Sequence, residues 1–296
     1  RMALKIPGTI SAALLAAFTM SAGAQVCVTD DRDQQVCLDE PAERIVTLSP
    51  GATELTWAAG AGDAVVGVVK YSDYPEEATE VTSIGSHKRI DIERLLSLKP
   101  DLVIAWVTGN PKEQTERLEE LDQTLYYLEP RDFESIAQSV ERLARLAGTE
   151  ETGRAKAEDF RRGIAELRER YADAPPVPVF YQVWDEPLMT INSDHFIHEV
   201  IELCRGRNIF ADLPRLVPRI DVESVLEADP EAVVAGGMGE ENRDWLEQWQ
   251  QYDTLRANRR GNLFFVRPSH IQRPTPRLLK GGGTLCQHLE AARERR

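Results

Sequence analysis

Positive charge is scarce in this chain: 35 Lys and Arg stand against 49 Asp and Glu over 296 residues, for a formal net charge of −14. So acidic a surface repels nucleic acid and anionic lipid, and neither is expected as a partner. Beyond residue 24 no apolar run approaches the roughly 20 residues that span a bilayer, which excludes a bundle of membrane helices. Enzyme signatures are missing as well. There is no GxGxxG after a strand, no phosphate loop, no GxSxG elbow and no HExxH. The acidic run DDRDQQ lacks the glycine and terminal glutamate of a calcium loop. Five histidines are present, and the pair His195 and His198 has helical spacing without a third ligand at a recognised distance, so solvation at a helix start is the expected reading. What remains is ordinary: 28% charged and 42% hydrophobic residues with 19 Gly and 17 Pro describe a folded globular protein, and this length favours two domains.

Arg1 and Lys5 precede an apolar run from Ile10 to Met20 that ends in Ala22-Gly23-Ala24. This is the pattern of a secretory signal peptide over residues 1–24, cut before Gln25. Its removal takes the formal charge from −14 to −16 and leaves four cysteines in a compartment that permits disulfides. Cys27 and Cys37 end the segment VCVTDDRDQQVCL, whose alternating apolar residues flank a polar turn, so they are expected to pair across a hairpin. Cys204 then pairs with Cys286.

Short β-branched runs at 44–48, 64–69, 101–106 and 124–129 alternate with helical stretches, the signature of a parallel sheet. Phe133, Ile136, Val140, Leu143 and Leu146 form one helical stripe that Gly148 closes. A second helix over 150–171 carries Ala157, Phe160, Ile164, Leu167 and Tyr171, and at about 33 Å it is long enough to run from one lobe to another. A new strand at 177–184 opens a second α/β half.

An internal repeat relates the halves. IDIERLLSLKPDLVIA at 90–105 realigns with IDVESVLEADPEAVVA at 220–235, with seven of sixteen positions identical. In each copy Asp91 or Asp221 is placed to cap a short helix with Glu93 or Glu223 in its first turn. The two glutamates are therefore equivalent positions on two halves of one body.

These residues carry a family resemblance. RIVTLSPGATELTWAAG, VVGVVKYSDYP and IDIERLLSLKPDLVIAW, followed by ELCRGRNIF, IDVESVLEADPEAVV, PTPRLL and LCQHL, resemble the periplasmic cobalamin-binding proteins of ABC importers over roughly 43–290. The resemblance implies two Rossmann-like α/β lobes with parallel sheets, joined by one long helix with the ligand in the cleft between them. The corresponding divisions are a leader 1–24, an N-terminal lobe with a hairpin 25–148, a linking helix 149–174 and a C-terminal lobe 175–296. It implies a periplasmic, monomeric protein without catalysis or a cofactor of its own, which passes a corrinoid to a permease dimer through Glu93 and Glu223.

A corrin has broad apolar faces and an amide rim, which suit flat aromatics and a few hydrogen-bonding groups. Tyr71, Trp106 and Trp184 match the family's aromatic contacts and Arg273 its arginine. The sequence departs at His87 and Val217, which replace tryptophans, and at Ser269, which replaces an aspartate. Ser269 and Arg273 are expected to donate hydrogen bonds to rim amides. His87 and His270 could coordinate the ligand's metal, although solvation is the commoner role of a loop histidine, and Tyr74 either joins the site or packs beneath it. A haem or ferric-siderophore receptor is the alternative within this fold. A secreted metal-dependent hydrolase is the alternative of another class, requiring a centre built from His87, His195, His198 or His270.

Overall fold

The computed structural model describes residues 25–296, so the leader expected at 1–24 lies outside the described residues. Strands β1 (Val26–Thr29) and β2 (Gln35–Leu38) form the hairpin, with Cys27 directly opposite Cys37 and bonded to it. The carboxylate of Asp30 tightens the turn by accepting from the backbone N–H groups of Arg32 and Gln34. Asp31 then fastens the hairpin to the body, since its carboxylate accepts from Arg142 at 2.9 Å and from the Glu129 N–H at 2.7 Å.

The N-terminal half continues through β3 (Ile45–Thr47), α1 (Pro50–Ala58), β4 (Val65–Gly67), the small ladder β5 (Gly85–Ser86) with β6 (Arg89–Ile90), α2 (Ile92–Ser97), β7 (Leu102–Trp106), α3 (Lys112–Glu120), β8 (Leu125–Leu128) and α4 (Phe133–Ala147). After α5 (Glu150–Tyr171), the C-terminal half runs through β9 (Val177–Gln182), α6 (Phe196–Leu203), β10 (Gly206–Asn208), α7 (Val222–Ala228), β11 (Ala232–Ala235), α8 (Asp244–Glu247), α9 (Arg256–Arg259), β12 (Leu263–Phe265), α10 (Pro268–Ile271) and α11 (Leu278–Glu294). The sheet orders are β4-β3-β7-β8 and β10-β9-β11-β12, and every pairing within them is parallel. In both sheets the second strand of the half lies outside the first, and the third lies on its other side.

The sequence repeat coincides with this shared topology. β7 and β11 are the third strands of their sheets, and each follows a short helix capped by aspartate. Asp91 accepts from Arg94 N–H at 3.0 Å and Asp221 from Ser224 N–H at 2.8 Å. Glu93 and Glu223 are the second residues of these helices and both are exposed.

Both helices expected after β8 form with the bounds read from the sequence. A capping box between Asp132 and Ser135 opens α4, and Gly148 in the left-handed region, φ 71°, ends it. α5 lies along α4 and also reaches α6 and α11. Two glycines permit this double approach: a Cβ on Gly153 would stand 2.2 Å from the Ala144 Cβ of α4, and one on Gly163 2.8 Å from Leu279 of α11. The helix is thus wedged between the halves. Cys204 and Cys286 are fully buried and bonded, tying the end of α6 to α11.

Candidate ligand cleft

The C-terminal ends of both parallel sheets converge on one cleft of about 500 Å³. α/β folds place ligands there because the strand ends and the loops after them leave a crevice. Trp106 and Leu128 are the last residues of β7 and β8, Ser49 follows β3, and Val183 with Trp184 follows β9. Tyr71, His87, Trp106, Trp184, Ser269 and Arg273 all line it, as does Val217.

The aromatic wall on the N-terminal side is built by a buried amide. The Asn110 side chain accepts from Trp106 N–H at 2.6 Å and donates to the carbonyls of Leu48 and His87, each at 2.9 Å. One residue thereby fixes the end of β3, the His87 loop and the turn after β7. Gly109 completes that turn, for its Cα stands so near the indole that an added Cβ would lie 1.8 Å from Trp106 Cε3. His87 stands over Trp106 with ring centroids 5.7 Å apart. Burial, and secondarily Lys88, lowers the His87 pKa, so the ring is neutral at pH 7.

On the opposite side, Trp184 is held edge-to-face by Trp245 at 5.8 Å, and its Nε1–H donates to the Glu186 carbonyl. Trp184 and Tyr71 keep 42% and 75% of their surface exposed, which leaves their faces free for a ligand.

Arg273 and Ser269 do something other than expected. Arg273 Nη1 donates to Glu54 at 2.8 Å and Asp73 at 2.7 Å, and Nη2 donates to the Tyr71 carbonyl at 3.0 Å. Most of the guanidinium is thus spent on the protein, where it secures the Tyr71 loop. The Ser269 hydroxyl donates to Glu240 at 2.7 Å, so this corner presents a carboxylate acceptor rather than a free donor. Glu54 sits at the centre of an assembly across the halves, accepting also from Thr275 Oγ1 at 2.8 Å and from Arg277. On the near side, the buried hydroxyls of Thr47, Thr53 and Ser72 link in series and pin the same loop. Tyr71 is held with φ 68°, a left-handed backbone that costs a non-glycine residue energy and persists only when neighbours enforce it.

One open alternative closes, and two other expectations are corrected. Tyr74 does not line the cleft; its ring lies 3.9 Å beneath the Arg277 guanidinium. His270 faces a separate recess with Glu240, Glu241 and His288, because α10 turns it away from the cleft. His195 is not a solvated helix start: it is the N-cap of α6, its Nδ1 accepting the Ile197 N–H at 3.1 Å, and it lines the cleft beside Phe196. Among the described residues, no group of three or more His, Cys, Asp or Glu is arranged to hold a metal ion.

Asn110, Gly109 and Glu54 went unnoticed in the sequence. The SPGATEL motif contains Glu54, yet a buried carboxylate is recognised only once its arginines, over 200 positions away, are in place.

Comparison with known proteins agrees with this architecture. A family profile described as periplasmic binding protein matches residues 45–269. The vitamin B12-binding protein of Vibrio cholerae serotype O1 is 37% identical over 254 residues, covering 86% of this chain and 91% of that protein. The vitamin B12-binding protein of Yersinia pestis is 35% identical over 250 residues, covering 84% and 87%. The crystal structure of the periplasmic vitamin B12-binding protein of Vibrio cholerae superposes with a TM-score of 0.78 at 36% identity, covering 86% of this chain and 99% of that one. A periplasmic heme-binding protein from Roseiflexus sp. RS-1 superposes with a TM-score of 0.75 at 23% identity, over 85% of this chain and 99% of that one, a likeness of fold alone.

Proposed function

The chain belongs to the periplasmic binding protein family, and from that membership we propose that it captures cobalamin or a related corrinoid outside the cytoplasm and delivers it to an ABC importer. The observation that carries this reading is the cleft itself. Tyr71, Trp106 and Trp184 offer apolar faces from both halves, and Glu129 and Glu240 stand on its wall as acceptors. A corrin ring sandwiched there buries its faces on the aromatics while its rim amides donate to the acceptors.

His87 coordinates the metal of the ligand, a reading supported by its neutral ring on the cleft wall. Residues 25–148 and 175–296 act as the two lobes, with 149–174 as the link and 1–24 as a cleaved leader to the periplasm. The monomer docks on the permease dimer through Glu93 and Glu223, whose carboxylates form charge-assisted pairs with arginines.

Calorimetric titration of residues 25–296 with cyanocobalamin, dicyanocobinamide, haemin and a ferric siderophore tests the substrate. Tight one-to-one corrinoid binding that weakens in Trp106→Ala is expected. Corrinoid silence with haemin binding would replace the substrate and leave the fold untouched.

A further inference from the structure

His195 is bound to its helix through one ring nitrogen only. Because Nδ1 accepts the Ile197 N–H, the neutral ring must carry its proton on Nε2. Nε2 finds no partner among the described residues, and it is not among the side-chain atoms sealed in the interior. A residue that lines the cleft therefore holds an uncommitted N–H donor at its wall.

Arg131 lines the same cleft. Arg273 is the other arginine there and is paired with Glu54 and Asp73, whereas Arg131 has no carboxylate within salt-bridge distance among the described residues. Its neighbourhood is fixed to that of His195, for Glu199 of α6 accepts the Phe133 N–H at 2.6 Å and so ties the segment after Arg131 to the helix that His195 caps. The acidic groups around the pair are engaged: Glu129 accepts from Thr108, Asp132 from Ser135 N–H, Glu199 from Phe133 N–H, and Asp194 from the Asn192 amide. The Arg131 charge also opposes protonation of His195, which burial already holds neutral.

A cationic guanidinium beside a neutral N–H donor suits an anionic oxygen better than an amide. We propose that Arg131 and the Nε2–H of His195 form an anion-accepting subsite on the cleft wall, which takes the phosphodiester of a corrinoid's nucleotide loop. The subsite reads the lower, nucleotide-bearing part of the ligand, while the aromatics read the ring. This rests on the corrinoid reading above and makes it narrower. Cobinamide, which keeps the ring and lacks the phosphodiester and base, separates the two.

The experiment is calorimetric titration of the wild type, Arg131→Gln and His195→Asn with cyanocobalamin and with dicyanocobinamide at fixed ionic strength. Asparagine preserves an acceptor for the helix cap, so His195→Asn should stay folded. Each substitution is expected to raise the cyanocobalamin Kd about tenfold, the usual weight of one hydrogen bond to a charged group. The cobinamide Kd should stay within about twofold, and the Arg131 effect should shrink with added salt. Equal weakening of both ligands, or of neither, would overturn the subsite while leaving corrinoid capture intact. Failure of the wild type to bind either corrinoid would instead remove the reading on which it rests. In ¹⁵N spectra the His195 ring should show the Nε2-protonated tautomer, and an Nδ1-protonated ring would refute the geometry independently of binding.

Discussion

Arg273 donates to Glu54 at 2.8 Å across 219 positions of sequence, and the same guanidinium holds the Tyr71 carbonyl at 3.0 Å. The contact joining the two halves and the contact that shapes the ligand-facing loop are thus made by one side chain. Glu54 is nearly fully buried and is served by two arginines, so losing it strands two positive charges.

Glu54→Ala is accordingly expected to lower the unfolding free energy by about 3–5 kcal/mol, the usual cost of removing one partner from a buried ion pair. Urea denaturation measures this. Arg273→Lys keeps the charge and loses the fork, so it should cost less stability while weakening ligand binding through the Tyr71 loop. If it left binding unchanged, the loop would not depend on Arg273.

Gly109 leaves no room for a side chain beneath Trp106. Gly109→Ala must displace the indole or the turn, and a corrinoid Kd raised by about tenfold or more is expected, with a shifted tryptophan emission spectrum in the free protein. An unaltered spectrum and Kd would show that the ring does not rest there.

The double change Glu93→Ala with Glu223→Ala removes two exposed carboxylates from the first turns of two equivalent helices. Stability and ligand affinity should stay within about 0.5 kcal/mol of the wild type, as for most surface substitutions. Uptake through the reconstituted importer should be lost. Normal uptake would remove the docking role.

Stability should fall on the acid side. Burial, aided by Arg131, pushes the His195 pKa down to about 3, and burial with Lys88 lowers that of His87, whereas both rings protonate near pH 6.5 in the unfolded chain. Between those limits the unfolded state binds more protons, so this stability is complete above pH 6.5 and is lost as pH falls. An enclosed ring contributes a slope of up to about 1.4 kcal/mol per pH unit. Asp31 and Glu199, whose pKa values burial raises, act in the opposite sense at lower pH. Urea midpoints from pH 7 to 5 should therefore decline less steeply for His195→Asn than for the wild type. Parallel declines would mean that His195 is not enclosed.

Much of the architecture was legible before any coordinates. The bounds of α4 and α5 follow from Gly148 and from stripes of apolar residues, because caps and helical periodicity are local properties. The repeat at 90–105 and 220–235 announced two halves of one topology. Both cysteine pairings followed from a hairpin and elimination. The residues facing the cleft were placed by resemblance, since they stand where strands end and loops begin.

What a side chain does there depended on partners remote in sequence. Arg273 and Ser269 look like free donors until Glu54, Asp73 and Glu240 occupy them. His195 looks like a solvated helix start until it caps α6 through Nδ1 and lines the cleft that Arg131 also lines. Periodicity, capping and spacing are written in neighbouring residues, and the sequence by itself determined them: two α/β halves, their helices and the aromatic ends of their strands. Hydrogen-bond satisfaction is decided among groups that only the folded chain brings within 3 Å, and so the tertiary structure alone decided which polar groups remain free to meet a ligand.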